Sequence, residues 1–164
     1  MQFDNPENPN IHELTTGPEI ISAMNGIGKS VDAFVAGVGT GGTLSGIGRA
    51  LKKENPNTKV YALEPSESPL LKDGKTGKHG IAAGFIPKNL DKDVYDGIVE
   101  VSTDEAMKIA CEVAKNEGFL PGIFAGANIH GAIELAKKLG KGHAAVTVSP
   151  DGGDRYLSTA LFNE

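Results

Sequence analysis

The chain has 164 residues, 39% of them hydrophobic, a length and composition that suit one globular domain with a proper core. A net charge of −5 and a pI near 5.4 argue against a basic surface that tracks nucleic acid and leave no polybasic patch for a membrane. No run approaches the ~20 apolar residues of a membrane span, and the single cysteine, Cys111, cannot form an internal disulfide. The opening MQFDNPENPNIHELTTG is polar and proline-punctuated where a signal peptide needs an apolar core, so the reducing cytoplasm is the expected compartment.

Thr16-Gly-Pro-Glu19 has capping-box spacing with proline in the first turn, which predicts a helix over 16–26 that stops near Gly26. VDAFVAG (31–37) reads as a buried strand, followed by a glycine-rich turn. Over 43–54, Leu44, Ile47 and Leu51 alternate with Arg49, Lys52, Lys53 and Glu54, an amphipathic helix ended by Asn55-Pro56. The charge cluster RALKKEN reads as its solvated face. KVYALEP (59–65) is the next strand, and 66–92, rich in Ser, Pro, Gly and Lys, reads as a long functional loop. Ser102 and Glu105 predict a second capping box for a helix over 102–118, stopped by Gly118. After the short piece FLPGIFAG come a helix from about 127 to Gly140 and a last strand, HAAVTVS (143–149). The alternation predicts an α/β fold with a mainly parallel twisted sheet flanked by helices.

Glycine is the outlying residue, 22 of 164, about twice the usual ~7% without collagen period. In AGVGTGGTLSG (36–46), Gly37-Val-Gly39-Thr-Gly41-Gly42 fits G-x-G-x-x-G between a strand and a helix, and Glu64 lies 22 residues beyond Gly42. Those features match a dinucleotide fingerprint and a nicotinamide oxidoreductase. Thr40 and Thr43, however, add hydroxyls to the backbone N–H donors, which suits one terminal phosphate monoester, and Pro65 stiffens the place where a ribose would dock. A turn that merely lets strand and helix pack closely is the bland alternative. Asp151 and Asp154 in SPDGGDRY are open to two readings, an acid/base pair or a turn at a strand end, with the turn favoured. His12, His79, His130 and His143 lack metal-ligand spacing, so no metal site is assigned, and Cys111 within AMKIACEVAK reads as a small buried hydrophobe.

Taken together, GVGTGGT, TTGPEI, GFIP and DRYLST resemble the C-terminal half of the cysteine synthase (O-acetylserine sulfhydrylase) family, fold-type II pyridoxal-phosphate enzymes. The resemblance runs from QFDNP at 2–6 to RYLSTALF at 155–162. It implies that the chain is a single cofactor-binding domain, 1–164, the large domain of that fold. Gly39, Thr40, Gly41, Gly42 and Thr43 would hold the cofactor phosphate. Gln2 matches a glutamine near the substrate carboxylate, Gly84 in AAGFIP lies on a loop that faces the substrate, and the turn bearing Asp151 comes close to the pyridine ring. The implied chemistry is β-replacement, in which sulfide displaces acetate from O-acetylserine to give cysteine. A homodimer is implied, with the C-terminal tail of serine acetyltransferase as a possible partner.

Departures from the family pattern carry their own expectations. The cofactor lysine and the threonine-serine-glycine-asparagine loop that clamps the substrate carboxylate belong to the N-terminal half, so the 164-residue chain alone is expected to be inactive and to bind pyridoxal phosphate weakly or not at all. The lysines at 52, 53, 72, 75, 78, 137 and 138 stand in polar surface contexts and supply no replacement. The loop GKHGIAAGF (77–85) is shorter than the family's version. In GIFAGAN (122–128), Phe124 stands where the family has a serine whose hydroxyl meets the pyridine nitrogen. A non-catalytic, partner-binding paralogue or an excised domain is therefore the other class of reading.

Overall fold

The computed structural model describes residues 1–74, 84–159 and 161. Among these, four strands form one sheet: β1 (Ala33–Gly37), β2 (Lys59–Pro65), β3 (Gly97–Val101) and β4 (Ala145–Thr147), in spatial order β3-β2-β1-β4. Every pairing is parallel. Parallel neighbours need crossover connections, so helices cover both faces of the sheet.

Period-two alternation along β1 sorts its side chains between two cores. Phe34 and Ala36, with Val60 and Ala62 of β2, pack on Leu44, Ile47 and Leu51 of α3 (Gly42–Glu54), and Ile20, Ile21 and Met24 of α2 (Gly17–Gly26) extend that layer. Ala33, Val35 and Leu63 face the opposite way, onto Ala106 of α5 (Thr103–Glu117) and onto Ala127 and Leu135 of α6 (Ile123–Leu139). Phe34, Leu44 and Ile47 are completely buried, each contributing ~1.5–3 kcal/mol relative to exposure.

The strand at 59–65 and the helices α3 and α5 form where the sequence predicts them. In α5, Glu105 N–H donates to Ser102 Oγ at 3.2 Å and Ser102 N–H to Glu105 Oε2 at 2.9 Å, the expected capping box. Gly118 then ends the helix in the left-handed region at φ 68°. The first strand begins two residues later than predicted and the last keeps only 145–147 of 143–149. At that end Asp32 Oδ2 accepts Ala144 N–H at 2.7 Å, while the Ala144 carbonyl still accepts Asp32 N–H at 3.0 Å and Ala33 N–H at 3.1 Å.

Elsewhere tertiary context overrides the local signals. Residues 7–16 are already helical, as α1 (Glu7–Ile11) and a π-helical turn (His12–Thr16) that run into α2. Thr16 therefore has helical backbone angles and caps nothing; the Thr16–Glu19 capping box does not form, and the Thr16 hydroxyl instead meets His12 Nδ1 at 3.0 Å. The segment 66–92 contains a short helix, α4 (Leu70–Asp73), and β3 adds a strand the sequence pattern did not mark. Most of GKHGIAAGF, with Lys75, Lys78 and His79, and Ala160 and Phe162 of RYLSTALF lie outside the described residues.

RALKKEN is more than a solvated face. Arg49 pairs with Asp91 at 2.7 Å and Lys52 with Asp96 at 2.9 Å, fastening the segment that leads into β3. Cys111 is half-buried rather than buried, and its thiol donates to the Leu161 carbonyl at 2.8 Å. No helix among the described residues is long and apolar enough to cross a membrane.

Candidate functional site

In the order β3-β2-β1-β4, the chain leaves β1 for β2 on one side and later returns to place β4 on the other. The carboxyl ends of β1 and β4 thus flank a topological switch point, where open α/β sheets hold their ligands. A cleft of about 330 Å³ opens there. Gly37 at the end of β1, Gly39 and Thr40 in the following turn and Thr43 in the first turn of α3 form one wall. Phe124 and Asn128 of α6, Pro150 and Asp151 after β4, and Arg155 and Tyr156 of the 3-10 helix Gly153–Tyr156 form most of the rest.

Two helix N-termini meet at this cleft, and they are in opposite states. At α6 the carboxylate of Asp151 accepts Ala125 N–H at 2.7 Å and Phe124 N–H at 3.2 Å, so the terminus is satisfied. The helix therefore starts at Ile123, four residues before the predicted 127, and Phe124 belongs to its first turn. At α3 the N-cap residue, Gly41, has no side chain to offer and the first turn holds no carboxylate; Gly42 N–H meets a side-chain oxygen, Thr40 Oγ1, at 3.3 Å. The N–H groups of Gly39, Thr40, Gly41 and Thr43 find no acceptor among the described residues. Uncompensated donors and the positive end of the helix dipole are the features that favour an anion at a helix terminus.

The backbone supports that geometry. Gly41 takes φ +81°, and a Cβ there would lie 2.8 Å from the Leu90 backbone, so the turn admits only glycine. Gly39 faces open space, with nothing within 4 Å of where a Cβ would be, which leaves room for a ligand to approach. Gly41 and Gly42 are buried behind the cleft wall rather than lining it. Thr43 Oγ1 lies 3.3 Å from His12 Nε2, and burial lowers the His12 pKa, keeping the ring neutral near pH 7. These donors, the dipole and the open space fit a phosphate monoester, so the residues present match the group that the sequence resemblance implies.

Gln2 and Gly84 lie outside the lining of this cleft. Gln2 is exposed, with its backbone carbonyl accepting from Asn8 Nδ2 and Asn89 Nδ2, each at 2.8 Å. Gly84 is exposed at φ +75° beside Phe85, whose ring packs at 5.1 Å on Phe3. The two residues thus belong to segments that touch each other through that ring pair. Asp151 and Asp154 do not form an acid/base pair: the Asp151 carboxylate is engaged by α6 and by Tyr156 Oη at 2.7 Å, while Asp154 is exposed. Phe124 is 40% exposed on the cleft rather than packed in the core.

The dinucleotide reading loses its acidic residue. Glu64 is 3% exposed, and its carboxylate accepts Leu71 N–H at 2.7 Å and Lys72 N–H at 3.0 Å, so it holds α4 and has no ribose to meet. Sequence reasoning also missed Asn128. Its side chain is buried, with Oδ1 accepting Gly37 N–H at 2.8 Å and Nδ2 donating to Val148 O at 2.9 Å, which ties together the two strand exits that flank the cleft. An asparagine on the buried face of an otherwise apolar helix, in AGANIHGAI, was the available signal.

Comparison with known proteins agrees with this geometry. The chain is 54% identical over 166 aligned positions to cysteine synthase of Staphylococcus aureus, covering 99% of this chain and 53% of that protein. A crystal structure of a hydrogen sulfide-producing enzyme from Fusobacterium nucleatum superposes with a TM-score of 0.94 at 44% identity, over 99% of this chain and 50% of that one. O-acetyl serine sulfhydrylase isoform 3 from Entamoeba histolytica superposes with a TM-score of 0.92 at 40% identity, over 99% and 49%. The chain spans about half the length of these relatives. The family model described as pyridoxal-phosphate dependent enzyme matches residues 1–151, and with the switch-point cleft and its open helix terminus this places the chain in the pyridoxal-phosphate dependent enzyme family.

Proposed function

We propose that this chain is the cofactor-phosphate-binding part of an enzyme that makes cysteine by β-replacement, exchanging the acetate of O-acetylserine for sulfide. The observation that carries the reading is the open N-terminus of α3 beside a cleft of about 330 Å³ that Gly39, Thr40 and Thr43 line, with no acceptor among the described residues for the N–H groups of Gly39, Thr40, Gly41 and Thr43. Gly39, Thr40, Gly41, Gly42 and Thr43 anchor the phosphate. Phe124 and Asp151 border the ring end of the cleft, and Gln2 and Gly84 approach the substrate from the rim. Bound there, pyridoxal phosphate supplies an electron sink for chemistry at the amino-acid substrate. The chain's own residues hold and orient the cofactor and shield one side of it from water.

The cofactor lysine is assigned to the half of the relatives that this chain does not span, as is the loop that clamps the substrate carboxylate. Lys52, Lys72 and Lys137 are engaged by Asp96, Glu100 and Glu134, which supports that assignment. The reading extends to a homodimer in the cytoplasm, and to the C-terminal tail of serine acetyltransferase as a partner whose terminal carboxylate enters the substrate end of the cleft.

Titration of the 164-residue chain with pyridoxal phosphate, with NAD in parallel, tests the proposal. Expected are weak but saturable, phosphate-competed binding of pyridoxal phosphate and, after borohydride reduction and peptide mapping, no stoichiometric label on any single lysine. Saturable NAD binding without a response to pyridoxal phosphate would overturn it in favour of the oxidoreductase, and a single labelled lysine would overturn the division of labour between the two halves.

A further inference from the structure

Asn8 of α1 reaches across to the glycine turn before α3. The Gln2 carbonyl can only accept, so the group that Asn8 places 2.8 Å from it must be the amide nitrogen, which fixes the orientation of that side chain. The same nitrogen has a second hydrogen, and it reaches Thr40 Oγ1 at 3.0 Å. Gly42 N–H approaches that oxygen as well, at 3.3 Å. A hydroxyl has two lone pairs and one proton. With both lone pairs facing donors, the remaining direction of Thr40 Oγ1 carries its proton, and Thr40 lines the cleft.

We propose that Asn8 is a positioning residue that sets the Thr40 hydroxyl as an obligate hydrogen-bond donor toward the phosphate. A free threonine hydroxyl would present lone pairs or proton to an anion with little preference; this one is committed to donate, and each donor on its oxygen polarises the O–H further. The arrangement also gives a reason for glycine at 42. A Cβ on that residue would stand 2.0 Å from Asn8 Oδ1, so any side chain at 42 expels the asparagine from its seat. Gly42 thus makes room for Asn8 and leaves approach to the ligand to Gly39. The inference rests on the phosphate reading above and assigns within it a residue 32 positions from the loop it controls.

The test uses the 164-residue chain, the variants Asn8→Ala and Thr40→Val and the double variant, with pyridoxal phosphate, inorganic phosphate and phosphate-free pyridoxal as probes. Loss of a hydrogen bond to a charged group predicts about tenfold weaker binding of both phosphate-bearing probes by Asn8→Ala, with pyridoxal unaffected. Because Asn8 acts through Thr40, the double variant is expected to bind no more weakly than Thr40→Val alone. Unchanged phosphate affinity in Asn8→Ala, an equal loss for pyridoxal, or additive losses in the double variant would each overturn the proposal. Should Asn8→Ala fail to fold, NMR of the unaltered chain decides: added phosphate is expected to move the Asn8 side-chain amide proton downfield, and a static resonance in a chain that binds phosphate overturns the role. A chain that binds no phosphate at all sinks the cofactor reading and this inference with it, whereas binding indifferent to Asn8 sinks this inference alone.

Discussion

Tyr156 Oη donates to Asp151 Oδ2 at 2.7 Å, and the same carboxylate accepts the N–H groups of Phe124 and Ala125. This cap joins the segment after β4 to the first turn of α6 and closes one of the two helix termini at the cleft. Replacing Asp151 by alanine strips two N–H groups of their acceptor. The expected loss is ~1–2 kcal/mol in urea unfolding, with Asp151→Asn retaining most of the stability. An unchanged midpoint in the alanine variant would show that solvent caps α6 equally well.

The same contact sets a pH dependence at Tyr156. Burial first, then the bond to Asp151 and its charge, push the phenol up to about 12. A folded-state value above the ordinary ~10 means that the native state favours the protonated phenol. Its contribution to stability is therefore complete below about pH 10 and is lost as the pH rises through about 12. Ultraviolet titration of the native protein is expected to show a late phenolate step that Tyr156→Phe removes. Burial also raises Tyr95, so the variant makes the assignment; a late step that survives it would place the perturbation elsewhere.

Asn128 holds Gly37 N–H and Val148 O with one buried amide. Asn128→Ala leaves a half-buried donor and a half-buried acceptor unpaired, and is expected to cost about 1–3 kcal/mol. Asn128→Asp is expected to be at least as damaging, because an ionised carboxylate has no hydrogen to offer the Val148 carbonyl. A loss below ~0.5 kcal/mol in chemical denaturation would mean that water replaces the amide.

Within the glycine turn, structure and binding separate by position. Gly41→Ala places a Cβ 2.8 Å from the Leu90 backbone at φ +81°, with an expected loss of about 2–4 kcal/mol. Gly39→Ala meets nothing within 4 Å and is expected to keep stability within ~1 kcal/mol while it weakens pyridoxal-phosphate binding. Equal destabilisation by the two variants would contradict this division.

Phe124 is 40% exposed on the cleft, where the resemblance puts a serine hydroxyl against the pyridine nitrogen. Phe124→Ser, made in a protein that also carries the N-terminal half of the relatives, is expected to raise pyridoxal-phosphate affinity roughly tenfold. Because the phenyl ring is not a core group, stability is expected to change by less than ~1 kcal/mol. Equal affinities, or a large loss of stability, would make Phe124 a packing residue and detach GIFAGAN from the cofactor ring.

Local chemistry was enough to mark the strand at 59–65, the apolar stripe of α3, the Ser102–Glu105 box and the glycine turn before α3, because each draws its signal from residues within one or two turns of one another. Those elements also made the α/β class and the glycine turn that opens α3 legible. What failed lay at longer range. The start of α6 depends on Asp151, 26 residues beyond Ala125; β3 is a short segment that becomes a strand by pairing with β2; and the predicted cap at Thr16 is cancelled because the preceding turns are helical and packed on α3. The amino-acid sequence by itself determined that a strand, a glycine turn and an uncapped helix follow one another, since backbone φ and helix-terminal donors are local properties. Only the tertiary structure decided what surrounds that turn: Asn128 meets Gly37 across 91 residues and Asn8 meets Thr40 across 32, hydrogen bonds whose partners the chain path must first bring together.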